Sequence, residues 1–141
     1  MKEICLHGRF GQPVGEIAKK IGNYALEKGY HVQVFNSFAA FRTGFPTFAV
    51  IRIDQAEILD RSANEVTPDI VLVLDNSLFS AGNILKGIKS NGTVLALGLD
   101  KSVLGDKEGL EFIKLDSYFN DNPSDVGGNI INALKDIAVL A

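Results

Sequence analysis

Ile4-Cys5-Leu6-His7-Gly8-Arg9-Phe10-Gly11-Gln12-Pro13-Val14-Gly15 reads as an apolar strand, a glycine-bearing loop and the opening of a helix. Ile4 to His7 is short and apolar and stops at Gly8, as a buried first strand does. Pro13 suits the first turn of a helix, where its missing N–H removes no hydrogen bond. Beyond it Val14, Ile17, Ala18, Ile21 and Ala25 recur at helical spacing, with Glu16, Lys19, Lys20 and Glu27 on the opposite face. Gly29 ends the helix.

Outward from this unit the pattern repeats. His31-Val32-Gln33-Val34-Phe35 alternates as a second strand, and Asn36 to Pro46 is a loop. Phe48 to Ile53 predicts a third strand. Asp54-Gln55 then turns into a short strand at Glu57-Ile58-Leu59, so that this segment forms an antiparallel hairpin. Pro68-Asp69 introduces Ile70-Val71-Leu72-Val73-Leu74, an unbroken apolar run of the kind buried on both faces of a sheet, ending at Asp75. Leu78 to Lys89 predicts a helix ended by Asn91-Gly92, Thr93 to Leu97 the next buried strand, and Phe112 to Leu115 a shorter one. Ser124 is placed to cap a last helix with the apolar face Val126, Ile130, Ile131, Leu134, Ile137 and Ala138. Buried strands alternating with amphipathic helices predict an α/β fold. The expected form is a Rossmann-like three-layer sandwich with a mostly parallel sheet and an antiparallel hairpin. One domain spanning 1–141 is expected, without linker or low-complexity stretch.

Composition narrows the function classes. Hydrophobic residues make up 46% and charged ones 22%, an ordinary globular balance. The net charge of −3 carries no basic stripe, which argues against a nucleic-acid partner. The one cysteine, Cys5, lies in an apolar run and reads as a packing residue; an iron–sulfur cluster would need four. The chain is therefore expected to hold no cluster itself, and a reducing, cytoplasmic compartment is expected. No apolar run approaches the ~18–20 residues of a membrane helix, and the N-terminus lacks the apolar core of a signal peptide. There is no Gly-x-Ser-x-Gly elbow, and His7 and His31 lie on different elements, so hydrolytic and metal chemistry find little support.

The loop Gly8 to Gly15 sits where a strand ends and a helix begins, a place where free N–H groups and the helix dipole favour an anion. It is neither a dinucleotide G-x-G-x-x-G, since Phe10 occupies the middle glycine position, nor a P-loop, since no Gly-Lys-Ser/Thr follows. Two readings stand side by side: the glycines serve only a tight turn and close helix–strand packing, or the loop meets a ligand. Arg9 favours the second, because a guanidinium beside a helix N-terminus suits a phosphate or carboxylate.

Leu6-His7-Gly8-Arg9-Phe10-Gly11-Gln12 resembles the His-Gly-Arg-Gly-Gly-Gln-Gly opening of gamma subunits, or fused gamma domains, of pyruvate and related 2-oxoacid:ferredoxin oxidoreductases. That family continues with Pro-Ser-Phe/Tyr-Gly-x-Glu-Arg-Arg-Gly-x-Pro, and the same register here reads Asn36-Ser37-Phe38-Ala39-Ala40-Phe41-Arg42-Thr43-Gly44-Phe45-Pro46. Arg52-Ile53-Asp54 and Pro68-Asp69 match further landmarks in order. The chain departs at Phe10 and Pro13, which stand for glycines, at Phe41 for the acidic residue, and at Thr43 for one of the paired arginines.

The resemblance implies a gamma subunit that packs over a thiamine diphosphate cleft and helps form a coenzyme A site. The whole assembly would oxidatively decarboxylate a 2-oxoacid to acyl-CoA and pass electrons to ferredoxin. Thiamine diphosphate, Mg2+ and iron–sulfur clusters would belong to the alpha, beta and ferredoxin-like delta partners. The isolated chain would hold no cofactor and be inactive. The resemblance makes Gly8, Arg9, Phe10, Gly11, Gln12, Ser37 and Arg42 the candidate binding residues. Each keeps a plainer alternative: Arg9 and Arg42 an ion pair or subunit contact, Gln12 and Ser37 a bond within their own loops. His7 reads as a loop-holding residue or a ligand contact, Asp75 as a helix cap or an acid. The aromatic run Phe38, Phe41, Phe45 and Phe48 reads as interface or core. The alternative function is a stand-alone α/β module that binds a nucleotide or acyl-CoA without catalysis.

Overall fold

The computed structural model describes residues 2–9, 12–36, 46–58, 67–75, 77–78, 85, 87–99 and 109–137. Its strands are β1 (Lys2–Arg9), β2 (His31–Asn36), β3 (Pro46–Asp54), β4 (Ile70–Val73), β5 (Thr93–Ala96) and β6 (Glu111–Lys114). Helix α1 (Val14–Glu27) follows β1, and helix α2 (Val126–Asp136) follows a 3-10 turn at Asp116–Phe119. The strands form one sheet in the order β2-β3-β1-β4-β5-β6. From β1 through β4 and β5 to β6 the pairing is parallel; β3 is antiparallel to both of its neighbours.

Alternation along the strands decides what each face carries. Ile4 and Leu6 of β1, Ile51 and Ile53 of β3, and Ile70 and Leu72 of β4 face α1 and α2. There they meet Ile17, Ala18, Ile21 and Ala25 of α1 and Ile130 and Leu134 of α2 in one core. Ile4, Leu6, Ile21 and Leu134 have no exposed surface, and each contributes about 1.5–3 kcal/mol relative to an exposed side chain. Val71, Val73, Val94 and Ala96 point to the opposite face, where Leu78, Leu85 and Ile88 cover them. The sheet is packed on both faces, an α/β fold of Rossmann-like layering.

The antiparallel portion is not the hairpin expected within 48–59. Glu57 and Ile58 lie outside any strand, and Leu59 lies outside the described residues. Asp54 ends β3 by accepting the Ala56 N–H at 3.3 Å, a local turn that competes with strand extension. Ile58 is then held beside β2 by its carbonyl, which accepts from Gln33 Nε2 at 3.5 Å. The antiparallel partners of β3 are instead β2 and β1, registered as Phe35↔Val50 and Cys5↔Val50.

The last helix is capped by Asp125, whose Oδ1 accepts from Gly128 N at 3.1 Å, and not by Ser124, whose hydroxyl bonds Asn122. The first-turn geometry decides between these neighbours: a Cβ on Gly128 would sit 2.2 Å from Asp125 Oδ2. Pro13 is the N-cap of α1 rather than its first helical residue, and its carbonyl accepts from Ile17 N at 2.9 Å. Most of the helix expected over Leu78–Lys89 lies outside the described residues; Leu78 is helical, while Ile88 and Lys89 are not. Ala138 also lies outside them.

Candidate functional site

In an open α/β sheet, ligands bind outside the carboxyl ends of the strands, where neighbouring strands send their connections in opposite directions. That point here lies between β1 and β4. The chain leaves β1 through α1 on one face and goes to the β2 side, whereas Leu78, just after β4, packs on the other face. His7, Gly8 and Arg9 on one strand and Leu74, Asp75 and Ser77 after the other border this point, joined by Leu74 N donating to His7 O at 2.9 Å.

Arg9 ends β1 with its guanidinium turned across the gap. Its Nε and Nη2 donate to Ser77 Oγ at 3.0 and 2.8 Å, and Nε lies 3.7 Å from Asp75 Oδ2. Ser77 in turn donates its hydroxyl and its backbone N–H to Asp75 Oδ1. The Ser77 hydroxyl, together with the Ser77 N–H and the Arg9 charge, holds the Asp75 carboxyl below the usual carboxylate range, overcoming the opposing effect of burial. Asp75 is thus ionised at neutral pH. Its behaviour as a local cap agrees with one of the two sequence readings, and its ion pair with Arg9 adds a second role.

Gln12 is used inside the loop. Its Oε1 accepts from Arg9 N at 2.8 Å, while Gln12 N donates to Arg9 O at 2.9 Å. Its Nε2 reaches Asp75 Oδ2 at 3.5 Å. Gly8 is glycine because of close packing: an added Cβ would lie 2.5 Å from Val14 Cγ2 and 3.0 Å from Gln12 Oε1. The strand, the loop glutamine and the first helical residue are therefore locked together, and the side of Gly8 that a side chain would occupy is filled. Both features serve to present Arg9.

Phe10, Gly11, Ser37 and Arg42 lie outside the described residues. Of the described residues, Pro46 pairs with Arg9, and Asn36 pairs with Ala49, the partner of Leu6. His7 packs its ring on Phe48 at 5.9 Å between centroids, and burial pushes its pKa down to about 4. It is a neutral imidazole at pH 7. Phe48 remains 40% exposed at the same edge, and Phe38, Phe41 and Phe45 lie outside the described residues.

A recess of about 280 Å3 opens at the carboxyl ends of β4 and β5, lined by Leu74, Asp75, Leu97 and Gly98. Its volume lies near the lower end of the roughly 300–1,000 Å3 typical of ligand pockets. A larger groove of about 550 Å3 lies at the opposite edge, beside Leu26, Tyr30, His31 and Ile58. It is remote from Arg9, and the switch-point recess is the better candidate because it lies at the carboxyl ends of parallel strands, where α/β sheets place ligands. Among the described residues no cluster of three or more His, Cys, Asp or Glu side chains is arranged to hold a metal ion. None of the described helices is long and apolar enough to cross a membrane.

Ser77 was not singled out by sequence reasoning. The signal that marks it is Asp75-x-Ser77 immediately after a buried parallel strand, a side-chain-to-backbone turn motif at a ligand-binding edge.

The profile of the family described as Pyruvate ferredoxin/flavodoxin oxidoreductase matches residues 3–124. Pyruvate synthase subunit PorC of Thermotoga maritima is 41% identical over 93 residues, covering 66% of this chain and 47% of that protein. Pyruvate/ketoisovalerate oxidoreductases common subunit gamma of Thermococcus kodakarensis is 38% identical over 96 residues, covering 67% of this chain and 51% of that protein. The chain thus spans about half the length of the curated relatives it matches. The crystal structure of pyruvate oxidoreductase subunit PORC from Thermotoga maritima superposes with a TM-score of 0.63 at 29% identity, covering 84% of this chain and 64% of that one. These findings uphold the resemblance carried by Leu6–Gln12 and the landmarks after it. The chain belongs to the pyruvate ferredoxin/flavodoxin oxidoreductase family, and the relatives it matches there are gamma-type subunits.

Proposed function

We propose that this chain is the gamma component of a 2-oxoacid:ferredoxin oxidoreductase complex, that it covers the thiamine diphosphate cleft, and that it supplies part of a coenzyme A site. The observation that carries this reading is Arg9, held by Ser77 across the β1–β4 switch point, beside the Asp75 that also lines the recess. A cation presented at this edge suits a phosphate or carbonyl oxygen of a ligand whose remainder lies on another subunit. Coenzyme A, with its anionic phosphates, fits that demand. As the family resemblance implies, thiamine diphosphate, Mg2+ and iron–sulfur clusters are assigned to alpha, beta and ferredoxin-like delta partners, with ferredoxin as electron acceptor. When bound there, these groups supply the decarboxylation and electron-transfer chemistry.

In that complex Arg9 binds and orients the ligand, while Gly8 and Gln12 hold Arg9 in place. Neutral His7 and half-exposed Phe48 offer an apolar border that limits water at the same edge. The reading places the complex in the cytoplasm.

Isolation of the native protein tests the assembly. It should copurify with a thiamine-diphosphate-binding subunit and a ferredoxin-like subunit, and recovery of the chain alone would overturn the subunit reading. Calorimetry separates the alternative. Binding of coenzyme A by the isolated chain as tightly as by the complex would favour the stand-alone module.

A further inference from the structure

We infer that Ser77 is a positioning residue for the anion-binding guanidinium of Arg9: its hydroxyl stands between Arg9 and Asp75 and keeps the cation directed at the ligand instead of collapsed onto the carboxylate. The inference rests on the proposed role of Arg9 as a coenzyme A contact, and deepens it.

The geometry is a relay of donors and acceptors. A serine hydroxyl has one proton and two lone pairs. Here the proton is committed to Asp75 Oδ1, so the oxygen lone pairs face Arg9, which donates both Nε and Nη2 to that single oxygen. The second carboxylate oxygen of Asp75 stays 3.7 Å from Arg9 Nε, beyond hydrogen-bond distance. Gln12 Nε2 approaches that same oxygen at 3.5 Å. The carboxylate is therefore engaged by Ser77 and approached by Gln12 while it remains close enough to anchor the guanidinium by charge.

The alternative arrangement is a direct Arg–carboxylate fork, which is planar, bidentate and satisfies both partners. Such a fork would spend two guanidinium donors on Asp75 and cancel the positive charge at the end of β1. A hydroxyl interposed between the two groups prevents it without removing Asp75. The arrangement also links two strands: Arg9 ends β1 and Ser77 follows β4, so movement of either strand end alters where the cation points.

Steady-state kinetics on the purified complex tests the idea, with coenzyme A and the 2-oxoacid varied separately and viologen-dye reduction as the readout. Arg9→Met should raise the KM for coenzyme A by about tenfold or more, the loss expected of one charge-assisted hydrogen bond. Ser77→Ala should raise that KM by roughly three- to tenfold, with the KM for the 2-oxoacid not following it. Ser77→Thr, which keeps the hydroxyl, should return it to within about twofold of the native value. Melting temperature and subunit composition are measured alongside, so that a folding or assembly defect is recognised. A raised KM in Arg9→Met with a native KM in Ser77→Ala overturns the role of Ser77 and leaves that of Arg9 intact. A native KM in Arg9→Met overturns the coenzyme A reading itself, and the positioning role falls with it.

Discussion

Glu3 and Arg52 form an ion pair in the interior, with Glu3 Oε2 accepting from Arg52 Nε at 2.7 Å. They are directly opposite in the β1–β3 register, and both are almost wholly buried. Glu3 Oε1 also accepts from Thr67 N at 2.7 Å, Arg52 Nη1 donates to Gln33 Oε1 at 3.4 Å, and the guanidinium carbon lies 5.1 Å from the centre of the Phe35 ring. The pair thus joins β2, β3, β1 and the approach to β4 in one line.

Breaking it from one side should leave an uncompensated buried charge. Arg52→Leu or Glu3→Leu is expected to cost about 3–5 kcal/mol, and the double variant clearly less than the sum of the two. Urea unfolding of all three measures this. Additive losses would show that the pair does not act as a unit.

Gly8→Ala should destabilise the protein by about 1–3 kcal/mol, because the new methyl overlaps Val14 Cγ2 and Gln12 Oε1. Trimming the obstacle in Gly8→Ala/Val14→Ala should recover part of the loss beyond what the single changes predict. Thermal melting follows it. A single variant as stable as the native chain would mean that the β1–α1 junction yields without cost.

His7 should make stability pH-dependent. Burial pushes its folded pKa from 6.5 down to about 4, so between those values the unfolded chain binds a proton that the folded chain refuses. Stability is then full above pH 6.5, falls as pH drops from 6.5 towards 4, and is constant in this contribution below. The span is at most about 3–4 kcal/mol. The difference in unfolding free energy between native protein and His7→Gln, measured from pH 7.5 to pH 4, should show this slope. A difference that stays constant with pH would refute the assignment.

Cys5 should be inert in the folded state. Its thiol is buried beside Glu3, and burial first, then the Glu3 charge, raises the pKa to about 12. Iodoacetamide at pH 8 should label it only at the rate of unfolding. Rapid modification under native conditions would contradict this burial.

Elements that declare themselves locally were legible. The run Ile70–Leu74 needs no neighbour to read as a buried strand, and Val14, Ile17, Ala18, Ile21 and Ala25 are all buried on α1 as their spacing requires. What could not be read depends on distant partners. Nothing in Phe48–Ile53 announces that β3 inserts between β2 and β1, because that choice is made by opposing residues such as Glu3 and Arg52, 49 positions apart. Glu3 near a chain start looks solvated until Arg52 and Thr67 surround it. The site divides in the same way. Arg9 was visible through its loop, whereas Ser77 became recognisable only when a separation of 68 residues closed. At the last helix, Ser124 and Asp125 are both good caps, and only the backbone path distinguishes them.

The placement of β3 also sets an order on biosynthesis. β1 is made before both of its neighbours, β3, beginning at Pro46, and β4, ending at Val73. Until translation has delivered both, Ile4, Leu6 and the buried Glu3 have no sheet to enter, and the nascent chain carries a sticky apolar strand with an unmatched charge. The β2–β3 pair can form earlier, since those strands are consecutive in the chain. The N-terminal strand is therefore a late joiner, and nascent-chain helpers that shield it during that interval would act on the segment that later carries Arg9.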